Sequence, residues 1–305
     1  MDGYTSSELL SILAMQGFAG ISMFSVLLLM ALGLAIIFGQ MGVINMAHGE
    51  FMTLGAYTTY LLSHIATSYG FLNEYFPLAI LAAFAVAFIV GYLVEWSFIR
   101  FLYKRPLDTL LATWGLSLIL QQIFRSIFGA REVSPDMPDW IMGSFDLTDL
   151  IQIPINGVFV LVLSIVVTAL VFMFLNKSHW GIQVRATVQN RMMANAVGIN
   201  TAKIDRLTFA IGCGVAGVAG AAFTTIASTG PTSGSLHIVD TFMVVVLGGA
   251  GSLVGTIVSA FTIAETDSIM SFFMSGTIAK VLTLLMVVGV IMAKPEGLFP
   301  SKIRK

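Results

Sequence analysis

LLSILAMQGFAGISMFSVLLLMALGLAIIFGQMGVINMAHG runs from Leu9 to Gly49 without one Asp, Glu, Lys or Arg. A charge at the bilayer centre costs roughly 2.5–3.5 kcal/mol on insertion scales, so an uncharged run this long marks chain that lies inside a membrane. About 20 apolar residues cross the hydrocarbon core as one helix, and the run is too long for one helix. Further uncharged runs cover 51–73, 75–94, 109–124, 150–176, 207–239 and 241–264, and a last pair, 268–279 and 281–293, is separated only by Lys280. Together they predict an all-α, polytopic transmembrane bundle of about eight membrane elements, with short or broken ones in 241–293. Residues 1–305 read as one transmembrane domain.

Composition excludes the other classes. Charged residues are 10% of the chain, against about 25% in soluble domains. Hydrophobic residues are 57% and mean hydropathy is +0.92. The single cysteine, Cys213, excludes an internal disulfide and a multi-cysteine metal site. His48, His64, His179 and His237 lack ligand-like spacing, so no metal is expected. A net charge of -1 argues against nucleic acid as the main partner.

Lys and Arg set the topology. Arg100, Lys104 and Arg105, then Lys177, Arg185, Arg191, Lys203 and Arg206, then Lys294, Lys302, Arg304 and Lys305 mark two cytoplasmic loops and a cytoplasmic C-terminus. Asp2, Glu8, Glu74, Glu132, Asp136, Asp139, Asp146 and Asp149 mark the opposite side. An outside N-terminus and an inside C-terminus require an odd number of crossings, so one element is expected to be re-entrant, or a ninth crossing exists. With no Lys or Arg ahead of the first apolar run, no cleaved signal peptide is expected.

Asn45, His48 and Glu50 lie among Gly39, Gly42 and Gly49, which let the backbone leave helical geometry. Irregular backbone at membrane depth persists only where protein or a water-filled cavity satisfies it. The segment is therefore either a path-lining or gating element, or an inner connection that caps and packs the next helix. On 109–124, Thr113 and Gln121 share a face, as do Trp114 and Gln122. They either hydrogen-bond between helices or line a path for a neutral polar solute. The candidate substrate path is thus Asn45, His48, Glu50, Thr113, Trp114 and Gln121. Lys280, one turn into a helix starting near Gly276, is expected to snorkel to the outer interface, with Glu265 or Asp267 as partner.

Gly212-Cys213-Gly214-Val215-Ala216-Gly217 matches the dinucleotide fingerprint by letter but lies inside an uncharged run with no strand before it. Small residues at Gly212, Ala216, Gly220 and Gly217 instead predict close helix packing. No phosphate-loop motif occurs anywhere, so any ATP dependence comes from a partner. No nucleophile–base set is present, and no catalytic residue is assigned. In the basic loop 177–206, Val184, Val188, Met192 and Ala196 predict one amphipathic helix over 182–197, with Gly198 as its C-cap and Asn200 or Thr201 capping the next helix. It either rests on headgroups or docks into a cytoplasmic partner.

Five stretches, in chain order, then carry a resemblance: 42–50 (GVINMAHGE), 111–117 (LATWGLS), Arg185-Ala186 with 194–199 (ANAVGI), 247–252 (LGGAGS) and 294–299 (KPEGLF). The chain resembles the permease subunits of branched-chain amino acid type ABC importers. Within that family 38–52 and 105–115 are most similar to the urea-importer branch. The resemblance implies a urea-carrying permease in a bacterial inner membrane. It also implies a second related permease subunit, a periplasmic substrate-binding protein and two cytoplasmic ATPases, which hold the ATP and Mg; this chain binds no cofactor itself. Arg185, Arg191, Ala194, Ala196 and Gly198 would form the coupling region. Amino acids or short amides as cargo, and a passive small-solute channel, are the alternatives.

Overall fold

The computed structural model describes residues 6–103, 105–148 and 151–299. Asp2, Lys104, Asp149, Lys302, Arg304 and Lys305 of the charge pattern lie outside the described residues.

The first uncharged run forms one long helix, α1 (Ser6–Met41), where more than one was expected. Its 36 residues reach roughly 54 Å, well beyond the core thickness of about 30 Å. No proline interrupts it, and the break falls instead at Gly42, whose φ of 64° only glycine adopts readily. Residues 42–47 then fold back along α1. His48 Nε2 lies 3.1 Å from the carbonyl of Met30, so α2 (His48–Tyr69) starts beside a point about three turns before the end of α1.

The remaining order is α3 (Tyr75–Ser97), a 3-10 turn at Ile99–Phe101, α4 (Pro106–Phe128), a hairpin, α5 (Ile155–Lys177), α6 (His179–Gln189), α7 (Arg191–Ala196), α8 (Thr201–Phe223), α9 (Ser233–Gly248), α10 (Leu253–Phe273) and α11 (Gly276–Ala293). The hairpin, β1 (Ser144–Thr148) antiparallel to β2 (Ile151–Pro154), pairs Ser144 with Pro154. It is an addition to the expected all-helical chain. Among the described residues, seven helices, α1, α3, α4, α5, α8, α10 and α11, are long and apolar enough to cross a membrane. α2 is equally long but richer in Thr, Ser and Tyr. The 16 residues of α9 give roughly 24 Å, less than a full crossing.

α8 forms the centre of the bundle, nearly every residue after Thr208 being buried. Small residues allow this. Gly212 meets the backbone of Gly33, Gly217 lies against Gly55 and Ala83, Gly220 lies against Met52 and Ala56, and Ala216 is fully buried. With no driving force from lipid, such close backbone approach is what holds membrane helices together. α3 presents Ala79, Ala83, Ala87 and Gly91 to α8 at four-residue spacing. α4, by contrast, packs chiefly on α2 and leaves Leu111, Trp114 and Ile119 outward.

Candidate functional site

The start of α2 and one face of α4 meet in a polar cluster enclosed by apolar helix. Glu50, in the first turn of α2, accepts hydrogen bonds at Oε1 from Ser117 Oγ (3.0 Å) and Gln121 Nε2 (2.9 Å). Gln121 Nε2 also donates to Ser117 Oγ at 3.0 Å. One turn back on α4, Thr113 Oγ1 accepts from the Met46 amide at 3.1 Å, satisfying a backbone donor of the fold-back segment. Asn45 Oδ1 accepts from the Ala47 amide at 3.1 Å. Asn45, His48, Glu50 and Thr113 are all buried. Asn45 Nδ2, His48 Nδ1 and Glu50 Oε2 have no partner among the described residues.

The structure therefore brings Asn45, Glu50, Thr113 and Gln121 together, and sets His48 beside them against α1. Trp114 is not part of this group. It is 53% exposed, at the edge of the α4 face that carries the cluster, and Gln122 is exposed as well. Ser117 was missed by sequence reasoning, although Thr113, Ser117 and Gln121 are four residues apart and so share one face. Lys280 donates to Asp240 Oδ2 at 3.2 Å, not to Glu265 or Asp267; the residue that pairs with it lies forty positions earlier on α9.

The basic loop departs from the single helix expected over 182–197. Asn190 is extended, and its side chain accepts from the Met193 amide, so α6 ends and α7 begins there. Val184 is buried, but Met192 is 82% exposed and the proposed apolar stripe is not continuous. Gly198, at φ 91°, follows α7 with Ile199 N–H bonded to Ala194 O and its own N–H to Asn195 O, a Schellman closure. Asn200 caps α8 by accepting from the Lys203 amide.

A second polar group, unread in the sequence, ties this loop to α3. Arg191 pairs with Asp205, and its guanidinium lies 5.7 Å from the Tyr103 ring centre. Arg206 Nε bonds Glu95 Oε2 at 3.0 Å, and Tyr103 donates to the other Glu95 oxygen. Burial, reinforced by the hydrogen bond to Glu95, pushes the Tyr103 phenol well above its ordinary range, so it stays a neutral donor. Arg185 donates to the Leu175 carbonyl at the end of α5. Ala194 is buried against this framework, while Ala196 and Gly198 are exposed.

Residues 17–291 match the sequence family described as "Branched-chain amino acid transport system / permease component". The chain belongs to that family. Among relatives of this permease is the "high-affinity branched-chain amino acid transport system permease protein LivH" of Salmonella typhimurium, 28% identical over 292 residues, covering 93% of this chain and 94% of LivH. BraD of Pseudomonas aeruginosa, a permease protein of the same description, is 28% identical over 295 residues, with 92% and 93% covered. A probable LivH of Methanocaldococcus jannaschii is 24% identical over 291 residues, with 90% and 88% covered. No solved structure matches. These relatives are named for branched-chain amino acids, so the urea specificity expected from 38–52 and 105–115 draws no support from them.

Proposed function

We propose that this permease is the translocation subunit of an ATP-driven importer, in a bacterial inner membrane, for a small solute bearing amino or amide groups. Family membership over most of the chain carries the reading. The α7 tip supports it: Met192, Met193 and Val197 stand 82%, 65% and 76% exposed beside the tie from Arg191 to the buried Asp205. An apolar tip on a basic loop suits a protein groove better than water. In this reading Arg185, Arg191, Ala194, Ala196 and Gly198 shape the coupling region. The partners are a second related permease subunit, a periplasmic substrate-binding protein and two cytoplasmic ATP-binding subunits that hold ATP and Mg. The N-terminus lies outside and the C-terminus in the cytoplasm.

Branched-chain amino acids are the cargo that the relatives' names favour. Urea is the second reading, and one observation favours it. The Glu50–Ser117–Gln121 cluster offers hydroxyl, amide and carboxyl groups, with no Lys or Arg in its hydrogen bonds to pair with an amino acid's carboxylate. Urea's carbonyl and two amino groups match such partners without needing a charge. Labelled leucine and labelled urea uptake, each with and without ATP depletion, separate the two in cells carrying the native transport genes. Concentrative, ATP-requiring uptake of leucine supports the first; that of urea, unaffected by excess leucine, supports the second. Equilibration indifferent to ATP would overturn the importer reading in favour of a channel.

A further inference from the structure

An apolar groove of about 520 Å³ runs between α3, α5 and α8, within the roughly 300–1,000 Å³ of small-molecule pockets. It exists because α5 leans on α1 and barely touches α8. Ile80 and Phe84 form one wall, Leu163 and Leu170 the other, and Ile211 and Val215 the floor. Most of this lining is apolar.

Two features break the apolar pattern. Thr208, in the floor, is 2% exposed, and its hydroxyl has no partner among the described residues. At the end of the groove where α5 meets α6, Trp180 and Leu175 line the mouth, and Arg185 is anchored to the Leu175 carbonyl. Lys177 and Arg185 are both exposed there. The nearby carboxylates are engaged elsewhere, Glu95 with Arg206 and Asp205 with Arg191. The mouth is therefore net positive. A groove with an apolar trough, a buried hydroxyl and a cationic lip follows the order of groups along a phospholipid.

We infer that this groove holds one phospholipid with an anionic headgroup. Its acyl chain fills the trough, an ester oxygen accepts from Thr208, and the phosphate sits at Lys177 and Arg185. A helix of another subunit would fill the trough but leave the basic lip and the hydroxyl unused, so lipid is the better occupant.

The test uses the full transporter complex, purified in mild detergent and mixed with dioleoyl phosphatidylglycerol or dioleoyl phosphatidylcholine, and read by native mass spectrometry. One phosphatidylglycerol per copy of this chain should survive conditions that strip phosphatidylcholine. The K177Q/R185Q variant should lower that retention about tenfold or more, each basic group near a headgroup being worth about 1 kcal/mol. T208V, which keeps the side-chain shape, should also lower phosphatidylglycerol retention. Equal retention of the two lipids, or retention unchanged in K177Q/R185Q, would overturn the proposal. A benzophenone side chain in place of Leu170, which lines the groove and is 59% exposed, gives an independent readout. Capture of lipid is expected, and capture of a neighbouring polypeptide in its place would overturn the assignment.

Discussion

Glu50 uses one carboxylate oxygen for two donors and leaves the other, buried, without a partner among the described residues. It thus staples α4 to the start of α2, since α4 has few other contacts. Replacement tests that role. Glu50→Gln keeps an oxygen for Ser117 and Gln121 and should melt within about 1 kcal/mol of the parent, whereas Glu50→Ala strands both donors and should cost about 1–3 kcal/mol. Thermal melting of the purified complex reads the difference, and equal melting of the two variants would remove the staple. Glu50 and Gln121 were legible in the sequence as polar residues in apolar surroundings. Their meeting was not, because 71 positions separate them and no local rule reports a pairing across that distance. Trp114 shows the same limit in reverse. It shares a motif with Thr113, but adjacent helical residues point about 100° apart, and only one of the two reaches α2.

At the level of single elements, the close approach of α2 and α8 makes a sharp contrast with the free face of α4. A side chain at Gly55 would run into the backbone of Gly217, and Gly115 has nothing within 4 Å of where a Cβ would lie. Gly55→Leu should therefore abolish accumulation of the permease in membranes, as judged by immunoblot. Gly115→Ala should leave it unchanged or raise melting stability by about 0.5–1 kcal/mol, the ordinary gain for removing a helix-interior glycine. In the basic loop, the four-residue spacing of Val184, Val188, Met192 and Ala196 runs straight through Asn190. Periodicity contains nothing about capping, so it read one helix where the Asn190 side chain starts a second. Asn190→Ala removes that cap, worth about 0.5–2 kcal/mol, and should speed hydrogen exchange at 191–197 without altering exchange in α8.

For the molecule as a whole, Glu95 and Arg206 fasten the C-terminal end of α3 to α8, and Arg191 with Asp205 fastens α7 to the same helix. Motion of the loop therefore reaches α3 through side chains rather than through the chain itself. Arg206→Met would leave Glu95, 1% exposed, as an uncompensated charge, a loss of about 3–5 kcal/mol. Adding Glu95→Gln should recover most of it, and melting of the single and double variants in detergent measures the recovery. Polytopic architecture was readable from the uncharged runs, because charge is costly in lipid everywhere along the chain. The fold-back at 42–47 was not, since its depth depends on Met30 and on Thr113, which contribute from two other helices. That dependence has a consequence for biosynthesis. The Met46 amide waits for a hydroxyl 67 residues downstream, which at roughly 5–20 residues per second is a delay of several seconds on the ribosome. Until α4 emerges, the α1–α2 hairpin holds an unpaired backbone donor at membrane depth, and the insertion machinery must shelter it.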